Sequence, residues 1–104
     1  MSKAAYNKYE EMYIEHLNQF WDEIDRKPLN AHAGALYLYL LHYAHEHNWE
    51  TDLSISTAFL MEELGLSKST LQRAQNVLIE RGFIEVIPCQ KGAIYRLKQQ
   101  RYGT

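Results

Sequence analysis

The sequence predicts a mainly α-helical domain with a small antiparallel β-hairpin near its C-terminal end. Three observations carry this. Four segments place apolar residues at three-and-four spacing. Two of them, 57–64 and 68–81, are separated only by Gly65-Leu66-Ser67. Residues 83–98 then change to two-residue alternation, interrupted by Cys89-Gln90-Lys91-Gly92.

The first helix is expected over residues 3–25. Tyr6, Tyr9, Tyr13, Leu17, Phe20 and Ile24 form one stripe, and Ile14 and Trp21 add a flank. Pro28 disfavours helix at Lys27, so the break falls at Arg26–Asn30. Asn30 is placed to cap the next helix, over 31–48. There Ala33, Leu36, Tyr37, Leu40, Leu41 and Ala44 form a broad apolar stripe, and Leu38, Tyr39 and Tyr43 add apolar surface on other sides. A helix apolar nearly all round belongs at the centre.

Leu53-Ser54-Ile55 reads as an edge strand for the later hairpin. Ser56 then caps a short helix over 57–64, which Gly65 ends. Ser67 caps the fourth helix. Helix, tight Gly-containing turn and helix is helix-turn-helix spacing. With the hairpin behind it, the pattern is a winged helix-turn-helix with an extra N-terminal helix. Residues 1–29 are assigned to that helix, 30–98 to the winged-helix domain and 99–104 to a polar tail.

Charge divides along the same line. The net charge is −2. Residues 1–64 carry 4 Lys/Arg against 11 Asp/Glu, a net of −7, while residues 65–104 carry 7 against 2, a net of +5. One face is therefore expected to meet a polyanion and the other not.

On the fourth helix, Leu71, Ala74 and Leu78 share one face, with Ser69, Arg73 and Asn76 opposite and Gln72 alongside. Such a helix fits the major groove of double-stranded DNA. Arg73 has the chemistry to bond guanine bidentately, and Gln72 and Asn76 to bond adenine. Ser67, Lys68 and Ser69 at the helix start suit phosphate. Lys91 at the wing tip, with Arg96 and Lys98 on its second strand, suits an adjacent phosphate. The outward set is modestly basic, so one copy should bind weakly and an oligomer more tightly. Two apolar flanks on the first helix exceed what one neighbour covers. Tyr6, Tyr9, Tyr13, Leu17, Phe20 and Trp21 are therefore assigned to self-association, as a homodimer or larger.

Other chemistry finds little support. His42, His45 and His47 lack the ligand spacing of a zinc enzyme, and no metal or other cofactor is expected. Adjacent pairs such as Glu62-Glu63 point to different sides of a helix and form no catalytic dyad. A single cysteine, Cys89, excludes an internal disulfide. With no signal-peptide pattern or membrane-span run, a non-enzymatic cytoplasmic protein is expected.

Residues 12–98 also resemble a known family. The runs FWDEIDRKPLNAHAGALYLYLLHYAHEHNW, LSISTAFLMEELGLSKSTLQRAQNVLIERGFIEV and GAIYRL are similar to the N-terminal winged-helix domain of phage replisome organisers and DnaD-like primosomal proteins. The resemblance implies DNA binding through the fourth helix and wing, oligomerisation through the N-terminal region, and a part in replication initiation beside other replication proteins. It places contacts on Lys68, Ser69, Thr70, Gln72, Arg73, Asn76 and Lys91. A MarR-like transcriptional regulator and a protein-interaction winged helix that never touches DNA are the alternatives.

Overall fold

The computed structural model describes residues 8–98. Tyr6, the first residues of the expected first helix and the 99–104 tail lie outside them. The elements are α1 (Lys8–Arg26), α2 (Ala31–Glu46), β1 (Leu53–Ser56), α3 (Thr57–Leu64), α4 (Lys68–Glu80), β2 (Ile84–Pro88) and β3 (Gly92–Leu97). The strands form one antiparallel sheet in the order β1-β3-β2, so β1 is the expected edge strand.

Local chemistry sets these boundaries. The Asn30 side chain accepts from the Ala33 amide at 2.8 Å, and Ser56 and Ser67 cap α3 and α4 in the same way. Gly65 takes φ 66° where α3 ends, and Gly82 takes φ 80° after α4. Both are left-handed conformations that a Cβ would strain. Gly92 answers a different need. It lies opposite Ser56 in the β1–β3 register, and a Cβ there would collide with the Ile55 carbonyl and the Ser56 backbone.

Helix α2 lies at the centre, packed against α1 on one side and α4 on another. Its Ala33, Leu36, Tyr37, Leu40, Leu41 and Ala44 are all buried. Leu71, Ala74 and Leu78 of α4 close on them, with Phe83, Ile84 and Tyr95 from the sheet side. This is the core the three-and-four spacing anticipates.

The aromatic stripe of α1 divides. Phe20 is 1% exposed, stacks on Tyr37 at 5.0 Å and meets Phe83 edge-on at 6.0 Å. Tyr13, Leu17 and Ile24 pack against the core beside it. The assignment of Phe20 to self-association is therefore corrected: α2 and Phe83 consume that ring inside one chain. Tyr13 is drawn in as well, stacked on His45 at 4.7 Å. Trp21 and Ile14 face outward, 52% and 41% exposed.

The first half of α1 is held by Trp49. Asn48 and Trp49 both adopt φ 58°, a left-handed pair of non-glycine residues after α2. This turns the Trp49 indole back onto α1. There it stacks on His16 at 5.0 Å and donates to the Tyr9 carbonyl at 3.1 Å. Burial holds the His16 pKa below 6.5, and Glu15 opposes this more weakly.

The sign follows. An unfolded chain takes up the His16 proton near pH 6.5, and the folded chain does so only at lower pH. The stability contributed is complete above that point and is lost as pH falls through the folded value. The urea midpoint should drop on acidification from about pH 7.5 to 5.5, and His16→Gln should flatten that dependence. An equal pH slope in both proteins would count against this assignment.

Candidate nucleic-acid interface

The outward face of α4 is built by the residues that cap and pack it. Leu71, Ala74 and Leu78 anchor the inner side, so Lys68, Ser69, Gln72, Arg73 and Asn76 are left exposed. At about 100° per residue they form a single band. Ile79 and Glu80 close the band at its C-terminal end, where Glu80 would repel a phosphate. The useful surface is thus confined to the first turns.

At the helix start the hydroxyls are partly spent. Ser67 Oγ accepts from the Thr70 amide at 3.2 Å and donates to Thr70 Oγ1 at 3.0 Å. Arg73 Nη2 donates in turn to Thr70 Oγ1 at 3.3 Å. Ser67 and half-buried Thr70 therefore shape the helix start and orient Arg73. Ser69 keeps an exposed hydroxyl, 3.4 Å from that of Ser67.

The wing stands beside this face. Cys89 donates its amide to the Gly92 carbonyl at 3.0 Å, closing a tight turn with exposed Lys91 in it. The Lys91 carbonyl accepts from the Thr57 amide at 3.3 Å, which ties the turn to the start of α3. Lys68 and Lys91 consequently line one open hollow with Thr57, Cys89 and Gln90. Two cations far apart in sequence share a surface.

Arg96 does not join them. Its Nε donates to Asp52 Oδ1 at 2.7 Å, and Nη1 lies 3.9 Å from Glu85 Oε1. This hydrogen bond lowers the Asp52 pKa and raises that of Arg96. The cause is strand alternation. Ala93 and Tyr95 point into the core, so Arg96 points to the outer sheet face, away from α4. Arg96, expected to meet a phosphate, is thus paired with acidic side chains in the structure.

Arg81 is occupied too, donating to the Lys27 and Pro28 carbonyls at 2.6 and 3.2 Å. Among the described cations of the basic half, Lys68, Arg73, Lys91 and Lys98 remain exposed.

Gln75 is a residue the sequence pattern leaves unassigned. It is half-buried at the α4–sheet boundary and donates to the hydroxyl of fully buried Tyr95. A tyrosine at an inward strand position needs such a partner. That need was visible in the sequence, but the partner's identity was not. Burial raises the Tyr95 pKa, and the hydrogen bond from Gln75 opposes this more weakly.

Among the described residues no three His, Cys, Asp or Glu side chains are grouped to hold a metal ion. Two of the clustered histidines are engaged separately: His45 of α2 on Tyr13, and His47 just after α2 on Tyr43 at 4.0 Å. Among the same residues no helix is long and apolar enough to cross a membrane.

Residues 28–84 match the sequence profile of a helix-turn-helix domain family, more than half of the chain. The chain belongs to that family. Helix-turn-helix domains of this kind are DNA-binding and generally non-enzymatic, in keeping with the exposed polar face of α4. Comparisons with curated proteins and with solved structures return no match. The profile spans α2, β1 and the α3-turn-α4 unit of this helix-turn-helix domain and stops at the start of β2.

Proposed function

We propose that this helix-turn-helix protein is the duplex-DNA-binding module of a phage or mobile-element replication initiator, and that it acts as a homodimer or larger. One observation carries the DNA part of the reading: a helix-turn-helix whose second helix exposes Ser69, Gln72, Arg73 and Asn76, with Lys68 and Lys91 converging beside it. Lys68, Ser69 and Lys91 hold phosphates, while Gln72, Arg73 and Asn76 face the base edges of the major groove. Ser67 and Thr70 act by orienting Arg73. The replication role rests on the resemblance to replisome organisers.

A salt titration tests the DNA reading. With about four phosphates engaged, log K should fall against log salt with a slope of about −3.6. A native duplex should outcompete a random one. No binding at low salt would sink the proposal. Gene context separates replication from transcription, since a neighbouring helicase or loader gene supports the former.

Self-association is assigned to the outer flank of α1. Ile14 and Trp21 lie seven residues apart and so share one side of the helix. An exposed indole of this kind is a common interface anchor. The native protein should scatter light as a dimer or larger at high micromolar concentration, and Trp21→Ser should give the monomer mass. A native protein already monomeric there would remove this assignment.

A further inference from the structure

We infer that Gln75 is a positioning residue: by holding the Tyr95 hydroxyl it sets the stance of the wing against α4, and so decides whether Lys91 reaches the backbone of a duplex that α4 engages. The inference rests on the DNA reading above and adds a residue that reading does not use.

Tyr95 lies at the middle of the sheet. It is opposite Leu53 of β1 and Val86 of β2, and its side chain is 0% exposed. Its hydroxyl is therefore committed to whatever α4 presents, and α4 presents the Gln75 amide. Gln75 lines the cleft between α4 and the hairpin together with Gln72, Lys68, Val86 and Pro88. A lysine or arginine at this place would bring a charge against a buried phenol, at a desolvation cost. The neutral amide bridges the two elements without one.

The geometry makes the bridge a lever. Lys91 is four residues from Tyr95 along the chain, roughly 13 Å at strand rise. A tilt of about 10° at Tyr95 would move the wing tip by roughly 2 Å over that span. This is enough to lose a direct phosphate contact. The tip has its own tie, from Thr57 to the Lys91 carbonyl, but that tie leads to α3. Gln75–Tyr95 adds a hydrogen bond to the apolar packing between the sheet and the helix that carries the exposed band.

The test combines two measurements on four proteins: wild type, Tyr95→Phe, Gln75→Leu and the double variant. First, a spin label on the native Cys89, exposed in the wing turn, reports wing mobility without DNA. Tyr95→Phe, Gln75→Leu and the double variant should all sharpen the spectrum, although the double variant leaves no orphaned hydroxyl and should recover the stability lost in Gln75→Leu. Unchanged spectra would overturn the inference.

Second, Lys91→Ala is added, and duplex affinity is measured against salt. In wild type it should lower the slope by about 0.9, one phosphate. In Tyr95→Phe it should change the slope little, because the contact is already lost. A full Lys91 effect in Tyr95→Phe would also overturn the inference. A purely structural role would lower the urea midpoint and leave that effect intact. If the wild type fails to bind duplex while the spectra change as expected, the DNA reading falls and the Gln75 tie stands.

Discussion

Replacing Arg73 and Lys91 together with alanine is expected to weaken duplex binding by about tenfold or more at low salt. The two residues lie on different elements, α4 and the wing turn, and both are exposed beside the same surface. Arg73 carries an exposed guanidinium that donates to Thr70 Oγ1 at 3.3 Å. A charged hydrogen bond of this type contributes about 1.5–3 kcal/mol. Tenfold in affinity is about 1.4 kcal/mol, so Arg73 alone accounts for the expected loss and Lys91 adds a salt-dependent share. Neither side chain supports the core, and the urea midpoint should stay within error of wild type. Arg96→Ala is the control. Its guanidinium is held by Asp52 and Glu85 on the outer sheet face, so binding should change little. Unchanged affinity in the double variant would count against the DNA reading, as would a loss in Arg96→Ala equal to that in Arg73→Ala.

Phe20→Ala should destabilise the whole fold by about 3–5 kcal/mol. The ring is 1% exposed and touches two elements outside its own helix, at Tyr37 of α2 and at Phe83 beside β2. Removing it leaves a cavity that those rigid aromatic walls cannot easily close. A domain of this size has about 5–15 kcal/mol in total, so the variant should unfold at a much lower urea concentration in one transition. A loss below about 1 kcal/mol, or separate melting of α1, would show that α1 is an appendage rather than part of the core. Trp21→Ser, one residue along, should leave stability nearly unchanged because that side chain is half-exposed. Adjacent aromatic residues are thus expected to differ sharply, Phe20 in folding and Trp21 in association.

The elements and their caps were legible in the sequence. Asn30, Ser56 and Ser67 cap the helices they were expected to cap, and Gly65 and Gly82 take the left-handed conformations that end two of them. The central place of α2, the edge position of β1 and the outward face of α4 followed from spacing alone. The candidate site was legible in part: Lys68, Ser69, Gln72, Arg73, Asn76 and Lys91 are exposed as expected. Arg96 could not be judged, because its acidic partner Asp52 is 44 residues away. Phe20 could not be separated from Trp21, because both belong to plausible apolar flanks of one helix.

Helix periodicity, capping and strand alternation are properties of neighbours within about four residues, so the chain announces them wherever they occur. Which cation is spent, which aromatic ring is buried and which amide meets a phenol depend on groups brought together from distant positions. Arg96 with Asp52, Arg81 with Lys27, Gln75 with Tyr95 and Trp49 with Tyr9 exist only once the elements have packed. The tertiary structure therefore decided which cations stay exposed in a basic half whose charge alone did not distinguish its members.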